Sequence, residues 1–451
     1  MNRLLFVAAA SAAVLAVPGC LNFPRDVDTN PAVSSEKRDV EPWTHDISEN
    51  AARMLKEGRE IFRTDTFGSE AFWGGQLQLH RAIAGSAHGG VGPGVTPHQA
   101  LQLGLKVDIA KLPRILGEAI RGGHVSLEKV DTTIELLRAD SVVGVKAFFD
   151  ADRKTVSSIG ITCAFCHSTV DDSFAHGIGR RLDGWPNRDL NVGAIVAIAP
   201  SLKPFQDLLG VDQATVVKVL NSWGPGKYDA ELDKDGKAAR PDGKSGATMI
   251  PAAFGLAGIN LHTYNGWGSV PYWNAYVAVT QMHGSGVYFD PRLHDTAKYP
   301  VAAKSGSWNT RAAQDLVTSK LASLHYYQLS IPAPKPKTGS FDAAAASRGK
   351  TVFEGRGRCA TCHVPPLFSE PGWSMHSAAE IGIDNFQASR SPDGMYRTTP
   401  LAGLFVRAKG GFYHDGRFAD YRAVVDHYDA HLRLSLSEAE KRDLIEYLKS
   451  I

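Results

Sequence analysis

The pentapeptide Cys-x-x-Cys-His occurs twice, as CAFCH at Cys163–His167 and as CATCH at Cys359–His363. No other feature restricts the chain as much. Four of its five cysteines lie inside these motifs. A structural zinc site would bring two Cys-x-x-Cys knuckles close in sequence or add nearby histidine pairs, and neither copy does so. A thioredoxin-type pair needs no histidine after the second cysteine, and one copy would suffice. Two disulfides are a further alternative for an exported chain. The pattern with its histidine is the attachment signature of c-type haem. Two thiols about one helical turn apart add to the two vinyl groups of one haem, and the adjacent imidazole becomes the proximal iron ligand. The chain is therefore expected to carry two haem c. One is held by Cys163 and Cys166 with His167 on iron, the other by Cys359 and Cys362 with His363 on iron.

Attachment of this kind follows export, and the N-terminus agrees. Arg3 precedes an apolar run, Leu4 to Val17, that is too short for a comfortable membrane span. The run ends at Val17-Pro18-Gly19-Cys20, a setting for lipoprotein processing with the lipid on Cys20; an ordinary cleaved signal is the alternative. The expected location is the periplasm, soluble or tethered to a membrane by that lipid. The 451 residues leave room for two or three domains. A formal net charge of +2, with no Lys/Arg-rich run, argues against a nucleic-acid partner.

The organisation reads as mainly α: two cytochrome c-type haem domains with long loops, the first enlarged by an N-terminal extension and a small β-hairpin. The segments are a signal peptide (1–20), a tether (21–46), an N-terminal haem domain with its extension (47–335) and a C-terminal cytochrome c domain (336–451). Ile47 to Phe62 has helical periodicity with Ser48 as a candidate cap, and Leu112 to Ile120 and Leu127 to Leu137 read as short helices. Val142 to Phe149 and Thr155 to Thr162 read as a hairpin delivering the first motif. KDGKAARPDGKSGA reads as a polar surface loop, and IPAPKPKTG, 331–339, as a linker. Phe341 to Phe353 and Arg422 to Tyr428 read as helices. Ser437 with Glu440 forms a capping box for a terminal helix to Leu448. IPAAFGLAGINLHTYNGW and TTPLAGLFVRAKGGFYHDGR form a weak internal repeat, one downstream of each motif.

CATCHVPPLFSEPGW, RTTPLAGL, FYHDGRFADYRAVVDHYD and LIEYLKSI resemble the C-terminal domain of di-haem cytochrome c peroxidases and MauG-like proteins. The resemblance is specific over the last quarter of the chain. WGPGKYD and PAAFGLAGINLHTYNG match the first haem domain more loosely. The long lead-in to CAFCH is more similar to the rubber-oxygenase branch. The resemblance implies a six-coordinate C-terminal haem that receives electrons and an N-terminal haem where peroxide or oxygen reacts. It also implies a sixth ligand just before the His-Asp-Gly turn, where this chain has Tyr413; Met395, Met375, His376 and His414 are rivals. It further implies an inter-haem Ca2+ near Thr399 and Pro400.

Peroxide cleavage wants a distal acid–base group, commonly a glutamate in that family. The glutamates between the motifs are Glu231, which reads as part of a charged surface loop, and Glu354, in the next helix. Other distal candidates are His176, His262, His283 and Tyr264. The run His262, Tyr264, Trp267, Tyr272, Trp273 and Tyr276 suits either an electron relay, a substrate pocket or packing around a macrocycle. Arg180 and Arg181 are candidates for pairing with haem propionates. Electron transfer is the expected function, with a small cytochrome, cupredoxin or dehydrogenase as redox partner. A peroxidase-like or oxygenase-like reaction at the first haem is the alternative.

Overall fold

Residues 42–451 are described by the computed structural model. The apolar leader, Cys20 and the tether as far as residue 41 lie outside the described residues. Helices dominate what is described, joined by long loops and by two-stranded sheets. No described helix is long and apolar enough to cross a membrane.

The first helix runs Pro42–Thr64, so it begins earlier than its apolar periodicity suggests. A proline suits the first helical turn, where its missing N–H is not needed. Ser48 is an interior residue and not a cap; its hydroxyl donates back to the Thr44 carbonyl at 2.8 Å. The shorter helices expected next form as Arg114–Arg121 and Val130–Arg138.

The hairpin forms as expected. Val145–Phe149 pairs antiparallel with Val156–Ile161, and the second strand runs directly into Cys163. Gly144, at φ 77°, lets the hairpin base press against the motif. A Cβ there would lie 2.2 Å from the backbone nitrogen of Phe165. CAFCH thereby sits at a seam between two apolar clusters. Cys166 packs against one that contains Phe72, Leu190 and Trp223, and Cys163 against one that contains Phe62, Trp267 and Tyr276.

KDGKAARPDGKSGA departs from its reading as a surface loop. It begins inside a short helix, Leu232–Asp235, in which Lys234 is 1% exposed. Arg390 draws this segment inward, pairing with Asp235 at 2.8 Å and with Asp229 at 2.9 Å.

The C-terminal stretch has a core of its own, built from Phe353, Leu404, Phe412, Val425, Leu444 and Tyr447. It follows residues 331–337, which carry no regular structure. Asp342 caps the alanine-rich helix Ala343–Glu354, accepting from the N–H groups of Ala344 and Ala345. The capping box of Ser437 and Glu440 opens Glu438–Ser450. The two helices cross at Gly349, where a Cβ would lie 2.0 Å from the Asp443 carbonyl oxygen. Phe353 and Tyr447 meet edge to face at 5.1 Å. Glu49–Ile451 form one compact unit.

The weak repeat is one loop used twice. A bridge joins His262 to Gly268 in the first copy and Phe412 to Phe418 in the second. Left-handed residues stand at matching places, Thr263 and Gly266 in one, Tyr413 and Gly416 in the other. A helix follows each loop, Val270–Tyr276 and Tyr421–Leu432.

Candidate functional site

Each motif histidine is set by a backbone carbonyl. In CAFCH, on the short helix Ala164–His167, the His167 Nδ1 donates to the Pro251 carbonyl at 3.1 Å. In CATCH, His363 Nδ1 donates to the Phe368 carbonyl at 3.0 Å. This bond fixes the tautomer that leaves Nε2 with its lone pair free, as a metal ligand requires. Burial lowers both imidazoles to about 4, so each is neutral. The four cysteines form no disulfide. Burial raises the thiols of Cys163, Cys166 and Cys359 to about 12, so these are not activated redox thiols.

CATCH opens on a cavity of about 400 Å³ with a mostly apolar wall, lined by Cys359, Cys362 and His363. Its walls also hold polar groups without partners: Arg188 Nε and Nη1, Arg397 Nη1, Arg407 Nε and Tyr421 Oη. Burial lowers the Arg397 guanidinium to about 9 and that of Arg407 to about 10, with no carboxylate nearby to offset it. Buried cations in an apolar cavity call for an anionic occupant. A haem fits this set. Its vinyls would be taken by the Cys359 and Cys362 thiols, His363 would ligate its iron, and the arginines would balance its propionates.

The arginines singled out in the sequence are elsewhere. Arg180 is exposed, and Arg181 pairs with Asp108 at 3.0 Å. The lining arginines carried their own signals. Arg188 ends the GWPNR stretch, Arg397 stands just before TTP, and Arg407 interrupts the apolar run LFVRA.

Of the candidate sixth ligands for the second site, Tyr413, His376 and His414 line the cavity; Met395 and Met375 do not. The Met375 sulfur packs instead against Gly266. His376 is held between Glu370 at 2.6 Å and Glu380 at 2.8 Å. Burial opposes its charge, yet the two carboxylates outweigh that and raise its pKa. A protonated imidazole is no ligand. His414 stacks on Tyr396 at 5.2 Å, and burial lowers it to about 4. Tyr413 brings a buried hydroxyl, raised by burial and by Tyr428. Thr399 and Pro400 also line the cavity, and the Pro400 carbonyl accepts from Arg407.

The candidates for the first site are dispersed. His176 is exposed beside Asp172. His262 is buried and donates through Nε2 to the Ile259 carbonyl at 3.0 Å, and burial lowers it to about 3. Tyr264 lines the second cavity, its ring 6.3 Å from that of His414. Trp267 is a core residue, 5.5 Å from Trp273 and 6.0 Å from Tyr276. His283 stacks on Phe72 at 3.5 Å, and burial lowers it to about 4. The aromatic group retains unpartnered polar atoms, Tyr276 Oη, Tyr299 Oη and Trp273 Nε1. The Lys234 ammonium lies 4.4 Å from the Tyr276 ring centroid.

Glu231 overturns its reading as a surface residue. It is 2% exposed, and one oxygen accepts from Asn265 at 3.2 Å and from Gln387 at 2.8 Å. Its second oxygen has no partner. The polar residues around it hid its burial in the sequence, because its partners lie far away along the chain.

No family model matches the chain. The methylamine utilization protein MauG of Methylorubrum extorquens is 30% identical over 156 residues, which are 30% of this chain and 43% of that protein. The chain thus spans less than half the length of this curated relative. A MauG-like protein associated with microbial copper homeostasis matches 49% of this chain and 80% of its own at 18% identity, with a TM-score of 0.31. Hydrazine synthase of Kuenenia stuttgartiensis matches 49% of this chain and 85% of its own at 17% identity, with a TM-score of 0.26. Superpositions that loose assign no residue a role.

Proposed function

We propose, for a chain that resembles the di-haem cytochrome c peroxidases and MauG-like proteins, the role of an exported electron-transfer protein with one haem c on each motif. Haem c, when bound, supplies a one-electron iron couple. The chain's own residues do the rest. Cys163, Cys166, Cys359 and Cys362 anchor the groups, and the Pro251 and Phe368 carbonyls aim the two imidazoles. Arg188, Arg397 and Arg407 balance the propionates on the CATCH side. The apolar walls exclude water and so reduce the reorganisation that accompanies each charge change. Tyr264, on the first copy of the repeated loop, lines the second cavity. A small cytochrome, cupredoxin or dehydrogenase would exchange electrons at the CATCH edge, where Thr361 and Val364 are exposed.

The observation that carries this reading is Tyr413. Its hydroxyl, which meets that of Tyr428, lines the same cavity as a tautomer-fixed His363, so the protein itself would offer a second ligand to a haem held by CATCH. Two protein ligands on one haem would suit it to electron exchange and leave no open position for substrate. EPR of the oxidised holoprotein tests it. A low-spin signal from the CATCH haem, indifferent to cyanide and peroxide, is expected, and the electron-transfer reading requires the same of the CAFCH haem, with two haems per chain by pyridine haemochrome. A high-spin signal that binds cyanide would overturn the electron-transfer reading.

That second outcome has an observation of its own. Glu231 is the buried carboxyl that a reaction on the CAFCH side would need, with one oxygen unpartnered. It supports a peroxidase-like or oxygenase-like oxidoreductase as the alternative.

A further inference from the structure

On the CAFCH side, a polar cleft of about 310 Å³ opens between the helix Pro42–Thr64, the loop at Lys111 and the first hairpin strand; its Val145 pairs with Ile161 and its Arg63 carbonyl accepts from Thr162. Its lining includes none of the motif residues. Five cations face it: Arg59, Arg63, Lys111, Lys146 and Arg181. The carboxylates in its wall are Glu60 and Asp140. Arg63 is committed to Asp183 at 2.6 Å, and Lys146 to Asp140 at 2.6 Å. Arg59 and Lys111, both exposed, have no ion-pair partner among the described residues. Arg181 is almost wholly buried behind them. Asp108 occupies its Nε at 3.0 Å, while its Nη1 has no acceptor.

Buried guanidinium N–H groups left without acceptors are costly, and planar forks of this kind match tetrahedral oxyanions. Two unpaired cations at the rim add long-range attraction for the same charge. We propose that this cleft binds a small, multiply charged anion of the phosphate class. No motif cysteine or histidine lines this site, and Arg181 serves the anion there. Arg59 and Lys111 draw the anion in, and Arg63 and Lys146 narrow the mouth from either side.

Calorimetric titration of the full-length holoprotein with inorganic phosphate and with pyrophosphate, at low ionic strength, tests this. Saturable one-to-one binding is expected, weakening as chloride is added. Arg181→Gln would strand the buried Asp108 and could unfold the protein, so the informative variant is the rim pair Arg59→Ala/Lys111→Ala. It should weaken binding by about tenfold or more, equivalent to about 1.4 kcal/mol, with haem content and visible spectrum unchanged. Absence of saturable binding by either anion would overturn the proposal. So would binding that the rim variant leaves intact.

Discussion

Thr263 and Tyr413 occupy the same place in two copies of one loop, at φ 62° and φ 70°. The Thr263 hydroxyl stays local, within hydrogen-bond distance of the His262 carbonyl at 2.6 Å and of Asn265 Oδ1 at 2.7 Å. Tyr413 lines the cavity that His363 also lines, and its hydroxyl meets that of Tyr428. The backbone device is shared; the side chain separates the two motifs. A short hydroxyl gives the first copy no ligand candidate from this loop, and the tyrosine would offer one to the second.

Replacing Tyr413 with Phe keeps the ring and removes only the hydroxyl. The apolar contacts with Phe418 and His427 survive, so the fold should hold. One low-spin EPR signal is expected to shift or become high-spin while the other stays as it is. Identical spectra for variant and parent would eliminate Tyr413 as the ligand.

The crossing of the terminal helices makes a stability prediction. Gly349 meets the Asp443 carbonyl so closely that Gly349→Ala must push the helices apart. Overpacking of this kind costs about 1–3 kcal/mol. A lower melting temperature is expected. The Arg348–Asp443 pair, at 2.7 Å, should loosen with it. A variant that melts at the parent temperature would mean the helices slide apart freely.

How much of this could be read in advance follows the range of the interactions. CAFCH, CATCH, the hairpin and the Ser437 capping box are local patterns, and each was legible. Arg188, Arg397 and Arg407 were not, because what unites them is a cavity assembled from distant segments. Glu231 failed for the same reason. Its partners Asn265 and Gln387 are remote in sequence, and its polar neighbours suggested solvent. The repeat was faintly visible, but its content, a left-handed residue at matched positions, needed the backbone.

His376 gives a pH dependence. Partial burial opposes its charge, and hydrogen bonds to Glu370 and Glu380 raise its folded pKa above the ordinary 6.5. Its bridging contribution is therefore complete below about pH 6.5 and is lost as pH rises through the folded value. Melting temperatures measured from pH 5.5 to 9 should decline across that interval in the parent, and less so in His376→Gln. Equal slopes in both would show that the bridge contributes nothing. Glu380 is largely exposed, so the effect should be modest and should shrink in salt.

Arg390 and Glu231 belong to one buried network, yet their substitutions should separate stability from chemistry. Arg390 is fully buried between Asp229 and Asp235. Arg390→Met leaves both carboxylates buried without a cation, a loss worth about 3–5 kcal/mol. Failure to fold, or a sharp fall in denaturation midpoint, is expected. Glu231→Gln keeps the shape and retains an acceptor for Asn265 and Gln387, so its midpoint should stay near the parent's. If the chain only transfers electrons, this variant should also keep the parent's spectra and its indifference to peroxide. A parent that consumes peroxide, with a loss of about 100-fold or more in Glu231→Gln, would match the removal of a general acid–base group. It would move the chemistry to the CAFCH side, with Glu231 as its proton carrier.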